Sequence, residues 1–229
     1  MQRARQPRPP GRRPASLTDE AYARLEERII TLQLAPGTAV SAPTLSEMIG
    51  IGRTPVREAL QRLVREGLIV VLPQRGTLVS EIDLPMQLRL LEVRREVERL
   101  IVRLAARRAT ADERRKFAAF AARFAAAAKA RTIRDARAFM RADHEFNDLC
   151  LQAARNEFAA GAIGLMHGLC RRFFFAHCQE AKVLEVSAKA HAALAQALAA
   201  GDEDTAALAL DGVMNCTEAI TRTAVSAEL

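Results

Sequence analysis

The sequence predicts a mainly α-helical chain in two parts: three short helices closed by a β-hairpin, then a longer stretch of helices alone. Three observations carry this. All nine prolines fall at or before Pro85, so the remaining 144 residues lack the strongest helix breaker. That second stretch is Ala-rich and holds all nine phenylalanines, between Phe117 and Phe175, which marks a helical domain with an aromatic core. The one β-branched run, Leu68-Ile69-Val70-Val71-Leu72, is followed by Pro73-Gln74-Arg75-Gly76 and then Thr77-Leu78-Val79, the pattern of two strands and a turn.

In chain order, residues 1–16 read as a disordered tail, with four prolines, five arginines and no acid. Residues 17–80 form the first domain. Thr18 is the expected N-cap of its first helix, with Asp19 and Glu20 in the first turn and Tyr22, Leu25, Ile29 and Leu32 as the apolar stripe. Pro36-Gly37 turns the chain. A second helix runs from about Pro43 to Ile49 and stops at Gly50. The third spans about Thr54 to Glu66, with Pro55 in its first turn and Val56, Leu60, Leu63 and Val64 on one face. Residues 81–229 form the second domain, beginning where Asp83 can cap a helix that carries Pro85 early. Six helices are expected there, at about 84–108, 112–130, 133–154, 156–178, 183–200 and 203–224.

Three helices and a hairpin, with the short link Gly50-Ile51-Gly52 between the second and third, is the order of a winged helix-turn-helix. Such a module lays its third helix in the major groove of DNA. Arg53 and Arg57 share one face at the start of that helix, and the arginine fork suits both guanine edges and phosphates. Thr54 can donate to a phosphate beside the helix N-terminus. Arg75 and Gly76 mark the hairpin tip, where glycine allows close approach and arginine can enter a groove. The competing reading pairs Arg53 and Arg57 with Glu58 or Glu66 on a solvated surface. Net charge does not decide between them: the chain carries +7, but the five tail arginines supply most of it and residues 17–80 balance to zero.

On the residues Tyr22-x-x-Leu25, Leu34-Ala35-Pro36-Gly37, Gly50 to Leu63, Glu66-Gly67-Leu68 and Gly76-Thr77-x-Val79, the first domain resembles the GntR family of bacterial transcriptional regulators. The resemblance implies DNA contacts at Arg53, Arg57 and Gly76. Gly52 departs from it, standing where the family usually places Ser or Thr, so the helix cap is weaker. Residues 92–98, Asp143-His144-Glu145-Phe146-Asn147, and His191 ahead of Gly201-Asp202 resemble the FadR-type effector domain of the same family. That implies an antiparallel helical bundle, a central effector pocket and a homodimer. Many such domains hold a divalent metal, zinc or nickel, through Asp-x-x-x-His and two further histidines about 22 residues apart. Here Asp143 and His191 are present, but Asn147 and Val213 occupy the other two positions, so half the ligand set is missing. One alternative makes Asp143 and His191 a buried hydrogen-bonded pair or plain surface residues; the other drops the metal and lets Arg94, Asp143, Asn147 and His191 bind an organic effector directly. His167 and His177 could line the same bundle, though a lone helical histidine is usually structural, and Arg171-Arg172-Phe173-Phe174-Phe175 reads as core packing, a ligand flank or a dimer anchor.

Other function classes find little support. There is no Ser/Cys-His-acid order, no phosphate-cradling glycine loop and no complete metal triad, so the expectation is not an enzyme. No long apolar run predicts a membrane span, and the Arg/Pro-rich start predicts no secretory signal. Cys150, Cys170, Cys178 and Cys216 include no C-x-x-C pair and suit a reducing cytoplasm. Two regulator readings remain. One is a dimer on an inverted-repeat operator, tuned by a small organic acid or metabolite; the other is a constitutive DNA-binding dimer with a vestigial pocket.

Overall fold

The protein is described by a computed structural model over residues 16–129, 133–177 and 181–228. The tail expected over residues 1–16 lies outside these except for Ser16, as does Cys178. Helices α1 (Leu17–Ile30), α2 (Ala42–Ile49) and α3 (Arg53–Arg65) lead into strands β1 (Ile69–Leu72) and β2 (Gly76–Val79). Among the described residues six further helices follow: α4 (Leu84–Arg108), α5 (Ala111–Ala127), α6 (Ile133–Ala154), α7 (Glu157–His177), α8 (Ala181–Ala200) and α9 (Glu203–Glu228).

The cap of α1 corrects the sequence reading. Ser16, not Thr18, is the N-cap: its hydroxyl accepts from the Asp19 amide while the Asp19 carboxylate accepts from the Ser16 amide. That reciprocal box requires an acid three residues on, which Asp19 supplies for Ser16. Thr18 instead donates to Glu58 on α3, 2.5 Å away. Leu32 also drops out of the α1 stripe, since the helix ends at Ile30 and Leu32 has a φ of 58°. Ala21, Leu25, Ile29 and Ile30 make the buried face. On α3 the core residues are Val56, Ala59 and Leu63, while Val64 is exposed, because Val64 is rotated past the stripe set by the other three. Gly52 caps α3 without a side-chain hydrogen bond.

β1 and β2 pair antiparallel with Ile69 opposite Val79. A contribution absent from the sequence reading comes from the segment after Gly37: Ala39 bridges Leu78, Val79 donates to the Thr38 carbonyl, and Val40 donates to the Thr77 carbonyl. Leu25, Ile29, Leu45, Val56, Leu63 and Leu68 join in one core around these elements. The helical part has its own core, where Phe117, Phe124 and Phe146 meet edge to face and the Phe124 and Phe146 centroids lie 5.4 Å apart. Phe158 is the exception, 83% exposed.

The two cores touch through α7. Leu169 packs against the N-terminal core, and the Leu68 side chain enters a gap at Gly168, where an added Cβ would lie 2.6 Å from Leu68 Cδ1. The next turn provides Arg172, 1% exposed, which donates to the Ser80 carbonyl at 2.7 Å, the Ser80 hydroxyl at 3.0 Å and the Glu81 carbonyl at 3.0 Å. Of the run Arg171-Arg172-Phe173-Phe174-Phe175, read from sequence as core packing, a ligand flank or a dimer anchor, Phe173 is buried in the core while the two arginines reach across the seam between the domains.

Candidate functional site

Two sites emerge, one on each domain. On the first, α3 turns Val56, Ala59 and Leu63 inward, which leaves Arg53, Thr54 and Arg57 exposed together at its N-terminal end. Gln61, one turn beyond Arg57 and also exposed, continues that face and was missed in the sequence reading. Glutamine two turns into a reading helix has the donor and acceptor pair that suits adenine. Arg75 is exposed at the hairpin tip, where Gln74 and Gly76 both have positive φ, 64° and 81°. A side chain at Gly76 would meet nothing, so glycine serves the backbone conformation there.

The competing surface-pair reading does not hold. Glu58 accepts from Thr18, and Glu66 accepts from Tyr22 at 2.7 Å and Arg62 at 3.0 Å, so both acids are taken. Among the described residues Arg53, Arg57 and Arg75 have no acidic partner within ion-pair distance. Three guanidinium groups thus stand free on a helix end and a hairpin tip of one domain.

The second site lies inside the helical domain. His191 on α8 faces Asp143 on α6, with Nε2 3.0 Å from Oδ1, and its Nδ1 meets the Ser187 carbonyl at 2.7 Å. Burial alone would lower the His191 pKa, but the hydrogen bond and charge of Asp143 and the Ser187 carbonyl outweigh it and raise it. Burial pushes Asp143 up, yet His191 and then Arg94 hold it down at about 2. Asn147 donates to the same Asp143 oxygen at 3.1 Å. Arg94 on α4, buried, donates through Nε to Glu98 at 2.6 Å, and His167 Nε2 lies 3.5 Å from Glu98. Among the described residues Arg94 makes no further hydrogen bond, so its terminal N–H groups are unengaged beside the cavity it lines with Asp143, His191, Phe139 and Val213. Asp143, Asn147 and His191 therefore form one hydrogen-bonded cluster, and Arg94 lines a cavity with Asp143 and His191 without bonding to either. His144 and His177 stand apart from it; His177 stacks on Phe173 at 4.7 Å.

A divalent metal does not fit these residues. Both His191 nitrogens point at oxygens, which fits an imidazolium donating twice rather than a ligand offering a lone pair. Asn147 turns its amide N–H₂ to Asp143, Val213 has no donor atom, and no cluster of three or more His, Cys, Asp or Glu suited to a metal occurs among the described residues.

The cavity beside the pair has a volume of about 40 Å³, and a neighbouring one lined by Glu98, Cys150 and His167 about 20 Å³. Neither approaches the several hundred Å³ of a site for a drug-sized ligand. The wall includes Arg171 and Met140, both of which also border a cleft between the domains.

Family comparisons agree with both halves of this arrangement. Residues 17–79 match the model described as bacterial regulatory proteins, gntR family, and residues 89–215, over half the chain, match the FCD domain. The chain belongs to the GntR family. Members are regulators, not enzymes. Among curated relatives, an uncharacterized HTH-type transcriptional regulator from an unstable DNA locus of Streptomyces ambofaciens is 45% identical over 64 residues, 28% of this chain and 27% of that protein. The HTH-type transcriptional repressor RspR of Escherichia coli is 33% identical over 90 residues, 39% of this chain and 40% of RspR. These matches therefore span well under half of the relatives' own length. Among solved structures, E. coli McbR/YncC superposes with a TM-score of 0.76 at 21% identity, covering 92% of this chain and 99% of that one, which shows a shared fold.

Proposed function

We propose that this GntR-family protein is a cytoplasmic, homodimeric, sequence-specific DNA-binding regulator of transcription whose operator affinity responds to a small organic anion held in the helical domain. The observation that carries the reading is the set of free arginines: Arg53 and Arg57 at the exposed start of α3, and Arg75 at the tip of the hairpin. Thr54 and the α3 N-terminus add phosphate donors, and Gly76 lets the hairpin backbone approach. One such head covers a single half-site. Two heads in a dimer would read an inverted repeat. No helix of the described residues is long and apolar enough to cross a membrane.

The effector reading rests on Arg94, whose unengaged N–H groups lie beside Asp143 and His191 in a partly apolar cavity. A carboxylate is the complement of such a fork. Entry requires Phe139, Met140 or Phe174 to move, since about 40 Å³ holds little more than a water molecule. That small volume also favours a second reading, a constitutive DNA-binding dimer whose pocket has closed.

Selecting bound sequences from random DNA, then titrating the winner with wild type and Arg57→Ala, tests the first part. Recovery of an inverted repeat with affinity reduced by about tenfold or more in the variant is expected. Equal binding by Arg57→Ala would remove the assigned reading face. A thermal-shift screen of small carboxylates separates the two effector readings: no stabilisation by any of them, with DNA binding intact, selects the constitutive one.

A further inference from the structure

Between the two domains lies a cleft of about 210 Å³ that no sequence motif marks. Arg137, Arg141 and Arg171 line it from the helical domain together with Phe175, facing Glu27 and Thr31 at the end of α1. Three guanidinium groups thus meet one lining carboxylate. Arg137 and Arg141 are four residues apart on α6, both exposed, and neither has an acidic partner within ion-pair distance among the described residues. Arg137 lies over the Phe175 ring, 6.0 Å from its centroid.

Arg171 is the unusual member. Its side chain is only 13% exposed, yet its two contacts are long: 3.5 Å to Glu26 and 3.4 Å to Glu27. Its Nε is buried with no hydrogen-bond partner. Such a group is under-satisfied, because guanidinium bonds to carboxylate normally close to about 2.7–2.9 Å. It also borders the inner cavity beside Asp143 and His191, and Met140 is the other residue common to both spaces.

We propose that this cleft is an anion-binding site for a small oxyanion carrying two or more negative charges, a phosphate or a dicarboxylate, seated on Arg137, Arg141 and Arg171 in competition with Glu26 and Glu27. The volume suits an anion of that size better than a larger metabolite. Occupancy draws Arg171 away from α1 and loosens the seam that seats the DNA-reading domain. That consequence rests on the regulator reading above; the binding itself does not.

The test is calorimetry on the full chain without DNA, titrating inorganic phosphate in one arm and succinate in the other, at constant pH and ionic strength. Arg141→Gln and, separately, Arg137→Gln each lower affinity about tenfold, and Glu27→Gln raises it about threefold. Arg115→Gln, an exposed arginine of α5 outside the cleft, leaves it unchanged. Binding of phosphate alone, succinate alone or both, lost in the two cleft variants, supports the site and names its chemistry. Absence of binding in the millimolar range, or binding that Arg137→Gln and Arg141→Gln leave intact, overturns it. A protein that binds the anion but no DNA keeps the cleft and loses the regulator reading. One that binds DNA but no anion loses only the cleft.

Discussion

Arginine is used in two opposite ways on either side of the domain seam. On α3 and the hairpin, Arg53, Arg57 and Arg75 are exposed and reach no acid among the described residues. Across the seam, Arg172 is almost wholly buried with three hydrogen bonds, and Arg95 and Arg99 share Asp211. The same residue type holds the structure together in one place and is left unsatisfied in the other. A cation that costs nothing to remove from the fold is free to meet a phosphate or a base edge; one that is fully engaged cannot.

Arg172 gives the largest test of that contrast. Burial pulls its pKa down to about 10, with Glu81 offsetting only part of the penalty, and its Nε finds no partner. Arg172→Met removes a costly buried charge but leaves the Ser80 and Glu81 carbonyls without their donor. The second effect wins because three bonds are lost at once, for a net loss of about 2–4 kcal/mol in urea unfolding. An unchanged midpoint would mean that the Arg172 hydrogen bonds add no net stability to the seam. A smaller loss, about 1–2 kcal/mol, is expected for Gly168→Ala, whose new methyl must displace Leu68. Because the strain falls at the seam, operator affinity should shift along with stability.

The buried ion pair offers a pH-dependent version of the same test. Asp143 is held at about 2, below its ordinary 3.8, so its contribution is present above pH 3.8 and is lost as pH falls through 2. His191 is raised above its ordinary 6.5, so its contribution is full below pH 6.5 and is lost as pH rises through the folded-state value. The pair therefore stabilises most between about pH 4 and 6.5. Asp143→Asn should flatten both flanks and cost about 1–3 kcal/mol near pH 6, read by denaturant titration across pH. A variant with an unchanged pH profile would show that His191 is neutral, which would reopen the case for metal ligation.

What was legible in the sequence is what local pattern controls. The bounds of α4 and α6 coincide with those read from Asp83, Pro85 and helical periodicity, and the two strands fall within a residue of where the sequence placed them. Arg53 and Arg57 could be placed on one exposed face because a helix fixes i and i+4 directly. Apart from the local slips at Thr18, Leu32 and Val64, the failures are contacts that no local rule reaches. Arg172 meets Ser80 across 92 residues, Arg171 meets Glu26 across 145, and the interdomain cleft exists only once α1 lies against α7. The Asp143–His191 pair is intermediate. Its members were legible as a depleted metal set or as a buried hydrogen-bonded pair, and it is the α6–α8 packing that brings them together as the pair.

The smallest effect on the fold is expected where the effect on function is largest. Arg57→Ala removes an exposed side chain without a partner, so unfolding stability should stay within about 0.5 kcal/mol of wild type. The same change should weaken operator binding by about 1–3 kcal/mol and relax the preference at one base position in each half-site. Arg75→Ala, at the hairpin tip, should weaken all sequences more evenly and reduce the salt dependence of binding, as expected for a phosphate or groove contact without a base partner. The pair of variants is best compared on the selected operator and on random DNA at two salt concentrations. If Arg57→Ala instead lowers stability as Arg172→Met does, the free arginines of α3 are structural after all, and the contrast across the seam disappears.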